Sequence, residues 1–285
     1  MAVPGGDSNL GVVRRSAAGR GDPALQNGIM NQEMNKLLTV ALEFRRVARR
    51  AIDAMPVRAV PGSAEGVLSV TTQFLTSAIY GSFEAILLLC REGWGVESDV
   101  LLRQLQEAVV NARAMRRSTT TLFLYAEEVE RRANAVAGKS RDPKLPDALL
   151  PTRIFGTPPR TDKLAWHQTG SRKGRRRYWR DLSMETRVEL ADLDTSVWYG
   201  LYRKLCPVLH AGPGGMVAYL HEDYWGTLWF GPNWKRAFRS LVSACALLFV
   251  HLGTLGVLFR LDLGKDLAEL ARQLEGVVPL AEHRE

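Results

Sequence analysis

The stretch from Tyr202 to Gly215, "YRKLCPVLHAGPGG", sets Arg203 seven positions before His210. On a continuous helix the two lie two turns apart on one side, about 10 Å along the axis. Imidazole titrates near neutrality, so His210 suits proton transfer to or from a ribose 2′-hydroxyl. A guanidinium beside it can hold the adjacent phosphate and stabilise the charge that develops there. That pair would cleave RNA with no metal. A structural reading stands beside it. Gly212 stops the helix, an imidazolium near a helix C-terminus favours the dipole, and Arg203 pairs with a carboxylate of a neighbouring helix. The spacing alone does not choose, because Arg160 and His167 repeat it. Pro207 sits between the two residues, cannot donate back to the carbonyl of Arg203, and predicts a kink.

Upstream, a basic run interleaves Arg172, Lys173, Arg175, Arg176, Arg177 and Arg180 with Tyr178 and Trp179, after Trp166. The net charge of +8 resides in residues 151–180, and the rest of the chain balances. Arginines that neutralise phosphates and aromatics that stack on bases suit single-stranded nucleic acid. A solvated loop anchored by its tryptophans, or attraction to anionic lipid, would use the same residues. In "LLRQLQEAVV", Arg103 and Glu107 stand at i, i+4 on an otherwise apolar helix. They form an exposed pair or, if buried, orient Arg203 or His210 from across the bundle. His221, Glu222 and Asp223 are a polar cluster without a second ligand set, so no metal site is expected. No Gly-rich phosphate loop, serine elbow or zinc spacing is present, and no cofactor is expected.

These residues need elements to position them, and the apolar periodicity is helical throughout. Leu37, Ala41, Phe44, Ala48 and Ala51 make one stripe, with Pro56 after its end. Leu75, Ile79, Phe83 and Leu87 make a second. Leu101, Leu105, Ala108, Ala112 and Met115 make a third, after a short turn in which Ser98 or Asp99 is the expected cap. The second and third helices are therefore expected as antiparallel neighbours. A fourth spans about 122–136. Others start near Ser183 and Ser196, and the chain ends in a long apolar helix at about 234–260 and a short one at about 265–275. The expected fold is all-α, an antiparallel multi-helix bundle around a long apolar C-terminal helix. Residues 1–28 are expected as a disordered arm, and 29–285 as one helical domain with a basic loop at about 139–181.

With 46% hydrophobic and 24% charged residues the chain reads as globular. Cys90, Cys206 and Cys245 are far apart in apolar runs, which predicts reduced, buried thiols of a cytoplasmic protein. The N-terminus has no apolar signal region. Leu241 to Phe259 is uncharged and long enough for a minimal membrane span, yet His251, Ser243, Thr254, Gly253 and Gly256 dilute it. A buried central helix is the expectation; a single membrane anchor is the alternative.

The ordered segments "LLCREGWG", "LLRQLQEAVV", "YWRDLSMETRVELADL" and "YRKLCPVLHAGPGG" resemble a bacterial family of uncharacterised all-helical proteins, catalogued as a domain of unknown function. The likeness covers about residues 70–225. It departs at Cys206 and Pro207, where a serine-containing stretch is usual. It points to Arg103, Glu107, Trp179, Tyr202, Arg203 and His210 as site residues, with Tyr202 in a supporting role, and implies no reaction. The helical class and the Arg–His spacing also resemble HEPN-type ribonucleases of toxin and defence systems, in which dimerisation joins two such pairs. Lys204 stands where that group usually has a small polar residue. The resemblance implies RNA as partner, a homodimer, and catalysis by His210 and Arg203. The alternative is a non-enzymatic helical interaction module, membrane-associated through 241–259. Neither reading names a partner protein.

Overall fold

Pro23 opens the first helix, α1 (Pro23–Ala54), where a fixed φ suits the first turn and a missing N–H costs nothing. A computed structural model describes residues 23–56, 63–119, 121–126, 128–129, 132, 182–209 and 232–278, with side chains from residue 32 onward. The helix therefore starts inside the stretch expected as an arm; residues 1–22 lie outside the described residues. Leu37, Ala41, Phe44, Ala48 and Ala51 are all buried, as their spacing predicts. Helix α2 (Ala64–Arg91) is capped by Ser63, whose Oγ accepts from the Gly66 amide at 2.9 Å. Its buried stripe is Leu75, Ile79, Phe83 and Leu87.

Helix α3 (Gly95–Arg117) follows after three residues and packs on α2 as a hairpin. Its N-cap is Trp94, without a side-chain bond, which corrects the cap expected at Ser98 or Asp99. Both are inside the helix and buried. Ser98 Oγ donates to the Gly95 carbonyl, and Asp99 is drawn to a distant helix, as described below. The buried set of α3 is also wider than one stripe. Leu102, Leu105, Val109, Ala112 and Met115 face α2 and the core, while Val110 and Ala114 face the other way. The reason is position: α3 is a wall between two apolar clusters.

The second cluster comes from two helices that follow the basic segment. Helix α4 (Met184–Leu190) is capped by Ser183, and α5 (Thr195–Leu209) starts where Asp194 Oδ1 accepts from Ser196 and Val197. These bonds hold the Asp194 carboxyl below its usual range, the Ser196 hydroxyl contributing most. Of the expected fourth helix, residues 121–126 are helical, and most of the remainder lies outside the described residues.

Helix α6 (Trp234–Phe259) packs against α1, α2, α3 and finally α7 (Gly264–Val277). It is the central helix that its apolar run predicts. Its start is fixed by close backbone contact. Gly93, at φ +80°, accepts from the Asn233 amide at 2.8 Å, and Asn233 Oδ1 caps the Arg236 amide at 3.0 Å. A Cβ on Gly95 would stand 2.5 Å from the Ala237 nitrogen. Gly95→Ala should thus force α3 and α6 apart and lower stability by about 2 kcal/mol, read as an earlier urea midpoint; an unchanged midpoint would refute the contact. No strand occurs among the described residues, and the fold is an all-α bundle. By length and composition alone, α2 and α6 could each cross a membrane. The sequence raised that alternative to a buried helix for α6 alone.

Candidate functional site at the junction of α3, α4 and α5

Helix α5 is amphipathic, and its inward aromatic edge packs on the α3–α4 side. Trp198, Tyr199 and Tyr202 pack against Val110, Ala114, Met184, Val188 and Ala191. The rings of Tyr199 and Tyr202 stack with centroids 6.1 Å apart. Polar bonds set the register of the helices. Gln106 Nε2 donates to the Trp198 carbonyl at 2.6 Å, and Arg113 Nε donates to the Ala191 carbonyl at 2.9 Å. Arg117 pairs with Asp192 at 2.7 Å.

At the centre of this junction Arg103 Nη2 donates to Tyr202 Oη at 2.7 Å and lies 3.1 Å from Glu107 Oε1. The guanidinium carbon also stands 4.7 Å from the centroid of the Tyr202 ring. The Arg103 side chain is 12% exposed and Glu107 36%. Burial raises the Tyr202 phenol above its usual range against the pull of Arg103. Arg187, on α4, is the further member. Burial lowers its proton affinity, while Glu107 and Tyr202 raise it, so it shares their neighbourhood. Cys206, one turn after Tyr202 on α5, lies near Arg103 and Tyr202.

Three of the residues expected from the sequence thus converge: Arg103, Glu107 and Tyr202. Arg103 reaches Tyr202 rather than Arg203. Arg203 is exposed on α5, and among the described residues it meets no carboxylate, so the expected structural pairing is absent there. Pro207 does not end the helix, which continues to Leu209. His210, Gly212, the cluster at 221–223 and the basic residues Arg172, Lys173, Arg175, Arg176, Arg177, Tyr178, Trp179 and Arg180 lie outside the described residues. Cys90 and Cys245 are buried free thiols, their pKa pushed up by burial, but Cys206 is only half-buried, a correction. It sits on the side of α5 that meets Arg103 instead of in the core. Arg187 went unmarked in the sequence although "YWRDLSMETRVELADL" contains it. Its signal was an arginine three residues into an otherwise short amphipathic helix.

Two polar clusters sit elsewhere, inside the main core. Asp99 accepts from Arg236 Nε at 2.6 Å and from Ser240 Oγ, tying α3 to the start of α6. His251 meets Thr76 of α2 at 2.9 Å. Among the described residues no group of three metal-ligating side chains occurs.

Residues 70–226, more than half of the 285-residue chain, match the family model of DUF5677, a family of unknown function. The chain belongs to this family. The matched span starts within α2 and includes α3, α4 and α5, hence Arg103, Glu107, Arg187, Tyr202 and Arg203. Helices α1, α6 and α7 lie outside it. No curated protein and no solved structure matches the chain.

Proposed function

We propose that this DUF5677 protein acts on RNA, as an endoribonuclease of toxin or defence type whose chemistry needs no metal. The observation that supports it is the division of labour on α5. Tyr202 is held inward by Arg103, so the next residue, Arg203, is turned out to solvent on a helix that continues past Pro207 to Leu209. Arg203 is then available to hold a phosphate, and His210, next in the sequence after Leu209, takes the 2′-hydroxyl proton. The 2′-oxygen attacks phosphorus, the bond to the 5′-oxygen breaks, and that oxygen receives a proton, leaving a cyclic phosphate and a 5′-hydroxyl end. The basic run at 172–180 holds the strand, and a second copy of the chain completes the active unit.

The test is RNA cleavage in EDTA. Both His210→Ala and Arg203→Ala should lose about 100-fold or more of the rate while staying folded. Inactivity of the parent, or unchanged rates in both variants, would sink the enzyme reading.

We propose also that the protein is cytoplasmic and that α6 is a core helix. Its packing on four helices, with His251 and Ser240 buried along it, supports this. A membrane-associated interaction module is the second reading, favoured by Phe74 and Leu88, which stand 63% and 62% exposed on the apolar helix α2. Recovery of the expressed chain in the soluble fraction without detergent decides for the first.

A further inference from the structure

We infer that Arg103 and Arg187, with Tyr202, form a binding site for the phosphate group of a nucleotide or an RNA end, at the junction of α3, α4 and α5. The site is distinct from the exposed Arg203 and does not depend on RNA cleavage.

The argument starts from a donor without an acceptor. Arg103 engages Tyr202 and Glu107 through Nη2, while its Nε is buried and makes no hydrogen bond among the described residues. A buried N–H left unmade costs about 1–3 kcal/mol, so such a group calls for a missing partner. An oxyanion is the partner that suits a guanidinium, because two of its oxygens match the planar N–H edge. The guanidinium is already held by a phenol and a carboxylate, so little freedom is lost when a ligand arrives. A second cation is in place. Arg187 lies near the same Glu107 and Tyr202, on a helix that packs against both α3 and α5. Two guanidiniums from different helices, one bonded to Tyr202 and Glu107 and the other electrostatically coupled to both, suit a group with more than one negative charge.

Glu107 makes the inference testable in sign. In the unliganded protein its carboxylate lies against the Arg103 Nη2 atom, next to the buried, unbonded Nε. A phosphate must compete with it and lies beside its negative charge. Removing that charge should therefore strengthen phosphate binding, whereas a purely structural ion pair predicts no gain.

The experiment is calorimetric titration of the full chain with inorganic phosphate and with adenosine 5′-monophosphate. Arg103→Gln and Arg187→Gln should each weaken binding at least tenfold. Arg103→Lys, which keeps the charge but loses the Nε donor, should recover only a minor part. Glu107→Gln should tighten binding threefold or more, and Arg91→Ala, remote on α2, should leave it unchanged. Competition between a 5′-phosphorylated and a 5′-hydroxyl oligoribonucleotide then separates an RNA end from a free nucleotide. Displacement by the phosphorylated strand or by the nucleotide supports the site, and displacement by neither overturns it. It is also overturned if the parent binds no phosphate saturably, or if folded Arg103 and Arg187 variants bind as the parent does. Should those variants fail to fold, an unchanged or weakened affinity in Glu107→Gln overturns it alone. RNA cleavage by the parent is read separately, so either proposal can fail without the other.

Discussion

Between pH 7 and pH 4 the parent chain should lose about 3 kcal/mol of stability that a His251→Leu variant keeps. His251 is 1% exposed at the middle of α6 and is surrounded by Ala48, Ile52, Ile79, Tyr80, Leu248, Leu252 and Leu255. Among the described residues Thr76 is its one hydrogen-bond partner, and the Thr76 hydroxyl itself donates to the Thr72 carbonyl. The imidazole must therefore donate from Nε2, which leaves Nδ1 as a buried acceptor without a donor. A proton on Nδ1 would charge the ring in an apolar shell, and burial holds its pKa down to about 3 from the ordinary 6.5. Below 6.5 the unfolded chain binds a proton that the folded chain refuses. Stability is therefore complete above pH 6.5 and falls by up to about 1.4 kcal/mol per unit as the pH drops toward 3. Urea unfolding of parent and variant at both pH values measures the difference, in which the carboxylates common to both cancel. Identical pH slopes would refute the assignment.

Asp99→Ala should cost about 3 kcal/mol, more than any other single polar change in the main core. The carboxylate is buried and joins Arg236 and Ser240 across 137 and 141 positions of sequence. Burial raises its pKa while Arg236 and Ser240 lower it, so the pair exists by mutual compensation. Truncating the acid removes the Asp99 carboxylate from the Arg236 guanidinium, which is 26% exposed, and from the Ser240 hydroxyl. The measurement is a double-mutant cycle in urea with Arg236→Met. The double variant should lose less than the sum of the single losses by 1 kcal/mol or more, because both single changes break the same Asp99–Arg236 bond. Strict additivity would mean that the two side chains do not act together.

Much of the fold was legible because it depends on periodicity. A stripe such as Leu37, Ala41, Phe44, Ala48 and Ala51 states a helix and its buried face in one pattern, and Pro56 marks the end. The patterns failed where one helix serves two partners. On α3 a single stripe was expected, but Val110 and Ala114 bury against α4 and α5 while Leu102 and Val109 bury against the core. The cap at Ser98 or Asp99 failed for a related reason. A local rule gave these residues a local partner, and Arg236 and Ser240 offered a stronger one from far along the chain.

The site divides in the same way. Residue types and order in "LLRQLQEAVV" and "YRKLCPVLHAGPGG" marked Arg103, Glu107 and Tyr202, and the family match spans them. They could not say which residue Arg103 would hold, since Tyr202 and Arg203 are adjacent and differ only in direction around the helix. Sequence by itself determined the all-helical class, the central place of the apolar helix at 234–259, and the candidate residues. Tertiary structure alone decided that Arg103 clasps Tyr202, that Arg203 is turned outward, that Arg187 joins the cluster, and that Asp99 and His251 are buried polar links. The reason is physical. Helical period is a property of neighbours within two turns of chain, whereas a hydrogen bond or ion pair between helices depends on packing angles that no local spacing records.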